Sequence, residues 1–153
     1  MPARILAPGG GQQPQSHGAG TLDVFDLLDQ YENQRGSNYT LTKNTFNQFI
    51  GDMRAAGKLK INGGQPVPNV KGLYQVTVDT KGTSYYYAVG LATLYYNSTG
   101  FVGYSDWWNF DAKPWGTRSF LGEVATRYGS TLWGQPFMVL YGITPPQNTI
   151  PKN

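Results

Sequence analysis

The residues with the most chemical potential in this chain crowd into one stretch. It runs Tyr104-Ser105-Asp106-Trp107-Trp108-Asn109-Phe110-Asp111-Ala112-Lys113-Pro114-Trp115-Gly116-Thr117-Arg118-Ser119 and continues to Glu123 and Arg127. A carboxylate there could act as a general base or hold a divalent metal. Lysine and arginine beside it could neutralise charge that develops on phosphoryl oxygens. Asp106, Asp111, Lys113 and Arg118 are therefore the catalytic candidates, with Tyr104, Glu123 and Arg127 in support. No spacing here selects a cofactor, so the cofactor is unknown, and a divalent metal is the one such carboxylates could use. Each group also has a plainer use. Glu123 and Arg127 stand four apart with the glutamate first, the pair that stabilises an exposed helix. Asp106 and Asp111 could cap turns, and the tryptophans and Tyr104 could be packing.

Several chemistries are excluded by what the chain lacks. It has no cysteine, so disulfides, thiolate nucleophiles and thiolate metal sites are out. Its one histidine, His17, lies near the N-terminus, far from the polar stretch, which argues against histidine triads and clustered-histidine zinc sites. No phosphate-binding Gly-Lys loop, Gly-x-Ser-x-Gly elbow, His-Glu-x-x-His helix or EF-hand loop occurs. The net charge of +3 is mild, and no basic run exceeds Lys58-Leu59-Lys60, so charge leaves nucleic acid possible as a partner without indicating it. No apolar run approaches the roughly 18 residues of a membrane span, and the first eight residues lack a signal-peptide core.

The polar stretch must be held by a scaffold, and 153 residues suit a single domain. Residues 1–20 are rich in Gly, Pro and Gln and read as a flexible leader or linker. Residues 21–143 read as one α+β domain, and 144–153 as a proline-rich tail. The domain begins with a helical hairpin. Its first helix covers about 22–34, capped by Thr21, with Leu22, Phe25, Leu28 and Tyr31 on one face and Arg35-Gly36 as its stop. Its second is capped by Thr42, carries Phe46, Phe49, Ile50 and Met53 as an apolar stripe, and stops at Gly57.

An antiparallel meander comes next: Leu73 to Val78, a turn at Asp79-Thr80-Lys81-Gly82, a long strand from Ser84 to Tyr96, a turn at Asn97-Ser98-Thr99-Gly100, and a return strand from Phe101 to about Trp108. Pro114 and Gly116 break regular structure. A third helix then runs from Thr117 or Ser119 to Tyr128, and a short final strand covers Pro136 to Tyr141. Alternation along the return strand puts Tyr104, Asp106 and Trp108 on one face and Ser105, Trp107 and Asn109 on the other. Arg118 falls near the N-terminus of the third helix, where free N–H groups favour an anion.

The stretch from Tyr104 to Arg127 resembles the C-terminal toxin tips of bacterial polymorphic effectors, including Rhs-type proteins and cargo of type VI secretion. The likeness lies in an aromatic strand end with Asn109-Phe110-Asp111, then Lys113-Pro114-Trp115-Gly116 with Arg118-Ser119, then a helix bearing Glu123 and Arg127. It covers about a third of the chain, from Leu94 to Tyr141. Asp106, Asp111 and Arg118 are also similar to a motif of colicin M-like enzymes, which cleave the lipid-linked peptidoglycan precursor. This chain departs from it, having Thr117 where that motif has a histidine, and its spacing differs. The resemblance implies an antibacterial effector that is secreted and delivered into a target bacterium. It would hydrolyse a phosphodiester or pyrophosphate bond in nucleic acid or an envelope precursor. It would have a cognate immunity protein and a delivery scaffold N-terminal to the leader. A non-catalytic carbohydrate- or protein-binding module, in which the aromatic meander meets the ligand, is the alternative.

Overall fold

The computed structural model describes residues 20–60, 63–109 and 134–145. The leader up to residue 19, the third helix and the tail from residue 146 lie outside the described residues, as do Asp111, Lys113, Arg118, Glu123 and Arg127.

Helix α1 spans Val24–Asn33 and helix α2 spans Lys43–Ala55. The N-cap of α1 is Asp23, whose carboxylate accepts from the Phe25 N–H at 2.8 Å. Thr21, the cap expected from the sequence, lies outside the first turn, and its hydroxyl donates to Asp26. Only one residue can take the cap position, and the aspartate brings a negative charge to the positive helix end as well as an acceptor. Thr42 caps α2 as expected, accepting from the Thr45 N–H at 3.1 Å. The α2 stripe of Phe46, Phe49, Ile50 and Met53 is buried in full. After α1, Arg35 and Gly36 adopt φ of 52° and 85°, and these left-handed residues turn the chain into a short strand.

That strand, β1 at Tyr39–Thr40, stands between the two helices. The remaining strands are β2 Gln65–Pro66, β3 Tyr74–Asp79, β4 Leu91–Asn97, β5 Gly100–Trp108 and β6 Phe137–Gly142. They form one mixed, six-stranded sheet in the order β1-β6-β5-β4-β3-β2. Every neighbouring pair is antiparallel except β1 with β6, which is parallel. The α+β class and the β3-β4-β5 meander match the sequence reading. The two-residue strands β1 and β2 were not legible, since two residues cannot display a period.

The second meander strand is shorter than its composition suggests. Strand β4 begins at Leu91, and Thr80 to Gly90 instead form a succession of turns. The fully buried Thr80 closes this loop with two bonds to the Gly90 carbonyl, from its N–H at 2.9 Å and its hydroxyl at 2.7 Å. Thr83 reinforces it by donating its hydroxyl to the Thr80 carbonyl at 2.7 Å. Local side-chain bonds of this kind compete with the sheet ladder, and here they override the β-preference of Tyr85, Tyr86 and Tyr87. The second turn behaves as expected. Asn97 pairs with Gly100 across a two-residue loop, and Asn97 Oδ1 accepts from the Thr99 N–H at 2.9 Å.

Both helices bury their apolar stripes in the same cluster as one face of the sheet. From the sheet come Val76 and Val78, Ala92 and Leu94, Tyr104 and Trp108, and Phe137 and Val139. These positions alternate along each strand, so one face of the sheet meets the helices. On the opposite face, a smaller cluster joins Val67, Leu73 and Tyr95.

Candidate functional site

Strand β5 carries the described part of the site. Tyr104, Asp106 and Trp108 share its helix-side face, while Ser105 faces the other way and bonds to the Tyr95 hydroxyl at 2.7 Å. The alternation read from the sequence therefore holds. Tyr104 and Trp108 are fully buried and Asp106 is 8% exposed, so the carboxylate sits within an aromatic layer.

That layer is built from three elements. Phe49 of α2 meets Tyr104 edge-on at 5.5 Å and Tyr85 edge-on at 5.0 Å. Trp108 stacks on Phe137 of β6 at 5.4 Å and meets Tyr31 of α1 edge-on at 5.8 Å. The Trp108 indole N–H donates to the Ala88 carbonyl at 2.8 Å, tying the strand end to the Thr80–Gly90 loop. Trp108 is thus packing, and its polar edge is satisfied, as a buried indole requires.

Asp106 occupies a place where the sheet opens. The β5–β6 pairing continues through Asp106 to Trp108 opposite Phe137, whereas the β4–β5 register ends at Thr93 opposite Ser105. On the β4 side, Asp106 lies beyond the last paired rung. The Ala88 carbonyl of the overlying loop reaches the Trp108 edge of this opening.

The Tyr104 hydroxyl is buried without a hydrogen-bond partner among the described residues. Its pKa is raised well above the ordinary phenol value, first by burial and then by the negative charge of Asp106. The hydroxyl of Tyr85, which also meets Phe49, donates to Asp52 of α2. Burial raises the Tyr85 pKa, and its bond to Asp52 adds to the rise. The Asp52–Tyr85 pair joins residues 33 positions apart and was not anticipated, because nothing in either local sequence marks the contact.

Of the catalytic candidates, Asp106 is placed in the aromatic layer beside Tyr104, and Asp111, Lys113 and Arg118 fall outside the described residues. Among the described residues, no three His, Asp or Glu side chains come together as a metal cage would require. No described helix is long and apolar enough to cross a membrane.

The chain matches no known protein family, curated protein or solved structure. Any activity assigned to it therefore rests on its own residues.

Proposed function

We infer that this chain is an antibacterial effector toxin domain that hydrolyses a phosphodiester or pyrophosphate bond in nucleic acid or a lipid-linked envelope precursor. The observation that carries this reading is the near-complete burial of Asp106 among aromatic side chains, where the β4–β5 pairing has ended. A carboxylate is costly to bury unless it is partnered, so its burial here marks a group held in place by its surroundings. A few residues later the chain enters the stretch that holds Asp111, Lys113 and Arg118. The aromatic residues give less support to a binding module, because Tyr104 and Trp108 are turned into the core.

In this scheme Asp106 or Asp111 removes the proton from an attacking water; as metal ligands instead, the same carboxylates would hold a divalent metal that would supply Lewis-acid activation of that water. The new bond forms between water oxygen and phosphorus, and the phosphorus bond to the leaving oxygen breaks. Lys113 and Arg118 neutralise the charge that accumulates on the phosphoryl oxygens. Glu123 and Arg127 are a supporting pair. The producing cell is protected by an immunity protein, and a scaffold N-terminal to the leader delivers the domain into the target bacterium.

The test is growth of a bacterium expressing the chain with and without a periplasmic export signal, beside Asp106→Asn and Asp111→Ala. Loss of a general base lowers the rate about 10²- to 10⁴-fold. Killing in one compartment that either substitution relieves supports the reading and locates the target. Unchanged killing by both folded variants removes this site. Normal growth in both compartments with folded wild-type protein removes the toxin assignment.

A further inference from the structure

The sheet face turned away from the helices carries a second feature, independent of Asp106. An open cavity of about 420 Å³ is lined by Lys60, Gly63, Gln65, Gln75, Thr77 and Thr93, with Val76 contributing from the strand. Two rungs of the sheet form its floor. Gln65 stands opposite Gln75 across β2 and β3, and Thr77 stands opposite Thr93 across β3 and β4. Gln75 and Thr77 are two residues apart on one strand, so these rungs are about 7 Å apart. Lys60 and Gly63 supply one wall from the chain that follows α2.

These side chains keep their hydrogen-bonding capacity. None of the side chains of Lys60, Gln65, Gln75, Thr77 and Thr93 bonds to another described residue. The volume falls in the range of small-molecule sites. The lining then decides the ligand class. Among the described residues it contains no carboxylate, which argues against a metal cation. Among the described residues it contains one cation, too few for a polyphosphate, and no aromatic face on which a nucleobase would stack. It offers two amides and two hydroxyls that both donate and accept, set about one sugar ring apart.

We propose that this cavity is a saccharide-binding site. The Gln65–Gln75 and Thr77–Thr93 rungs bond ring hydroxyls, and Lys60 favours a sugar that carries a carboxylate. The site lies on the face opposite Asp106, so the catalytic reading and this one can fail separately.

Amide NMR titrations of the whole chain with D-glucose, D-glucuronate, inorganic phosphate and a short neutral peptide test the proposal. Both sugars should move the side-chain amide signals of Gln65 and Gln75 and the backbone signals of Thr77 and Thr93. Glucuronate should bind more tightly than glucose, and Lys60→Ala should erase that difference while sparing glucose. Thr77→Val keeps the strand shape and removes one hydroxyl, and Gln75→Ala removes one amide. Each should weaken binding of both sugars about fivefold, the loss of one hydrogen bond. Their remaining amide signals report that the fold is intact. No movement at these four residues with either sugar overturns the proposal. So does movement with phosphate or peptide alone, or sugar affinity that both variants leave unchanged.

Discussion

Replacing Tyr104 by phenylalanine should make this protein more stable. The Tyr104 ring is fully buried against Phe49, and its hydroxyl has no hydrogen-bond partner among the described residues. In the unfolded chain that hydroxyl is bonded to water, so folding strips it of partners and returns none among the described residues. The penalty for an unsatisfied buried hydroxyl is about 1–3 kcal/mol. Phenylalanine keeps the ring, its contact with Phe49 and the packing volume while removing the penalised atom. We expect a gain of about 1 kcal/mol, which for a domain of this size raises the melting temperature by about 4 °C. Urea unfolding followed by tryptophan fluorescence measures this, with an unchanged slope showing that the denatured state is the same. A loss of about 1 kcal/mol or more would refute the reasoning, because it would show that the hydroxyl is bonded in the folded protein. The same variant separates two roles of Tyr104 in the growth assay. Weaker killing by a more stable protein makes the hydroxyl a positioning group for Asp106. Undiminished killing makes Tyr104 packing alone.

Two further predictions concern stability. The pKa values of Tyr39, Tyr85, Tyr95 and Tyr104 are all raised, in each case chiefly by burial, so the folded state holds these phenols neutral where the unfolded chain would ionise them. Their contribution to stability is complete below the ordinary phenol value of 10.0 and declines as pH rises above it. Phenolate absorbance should therefore show a fraction of the tyrosines ionising only together with alkaline unfolding, and ionisation of all of them in the folded state would contradict this. The second contrasts two glycines. A Cβ on Gly103 would stand 1.8 Å from the Ile143 carbonyl oxygen, a backbone atom that cannot yield cheaply, whereas a Cβ on Gly51 in α2 meets nothing within 4 Å. Gly103→Ala should lose about 3 kcal/mol, while Gly51→Ala should gain about 0.5–1 kcal/mol from helix propensity. Thermal denaturation of the pair measures both, and equal melting temperatures would show that the β5–β6 end is not packed as described.

The site is legible in the sequence only in part, and the reason is the same at each position. Alternation is a property of the local backbone, so the shared face of Tyr104, Asp106 and Trp108 could be read from their spacing. Whether that face met helices or solvent could not, because this depends on where α2 settles. The proposed saccharide cavity was invisible for a related reason. Gln75 and Thr77 look like ordinary polar positions of an alternating strand, and only the pairing with Gln65 and Thr93 gathers them into one floor.

Local pattern settles whatever a few neighbouring residues can enforce. The Thr42 cap and the Phe46-Phe49-Ile50-Met53 stripe define α2 within one helical segment. The Asn97–Gly100 turn sets β4 against β5, because Asn97 bonds back to Thr99 and Gly100 takes a positive φ of 126° that other residues avoid. The remaining features come from long-range packing. Tyr39–Thr40 becomes a strand because β6, nearly a hundred residues later, offers it a parallel edge at Val139 and Leu140. Ser84 to Gly90 leave the sheet because Thr80 holds the Gly90 carbonyl and Trp108 holds that of Ala88. Asp106 is buried because residues from α1, α2 and β6 close around its aromatic neighbours on β5. Each of these outcomes depends on partners distant in the chain, and a local pattern carries no information about a partner it has not yet met.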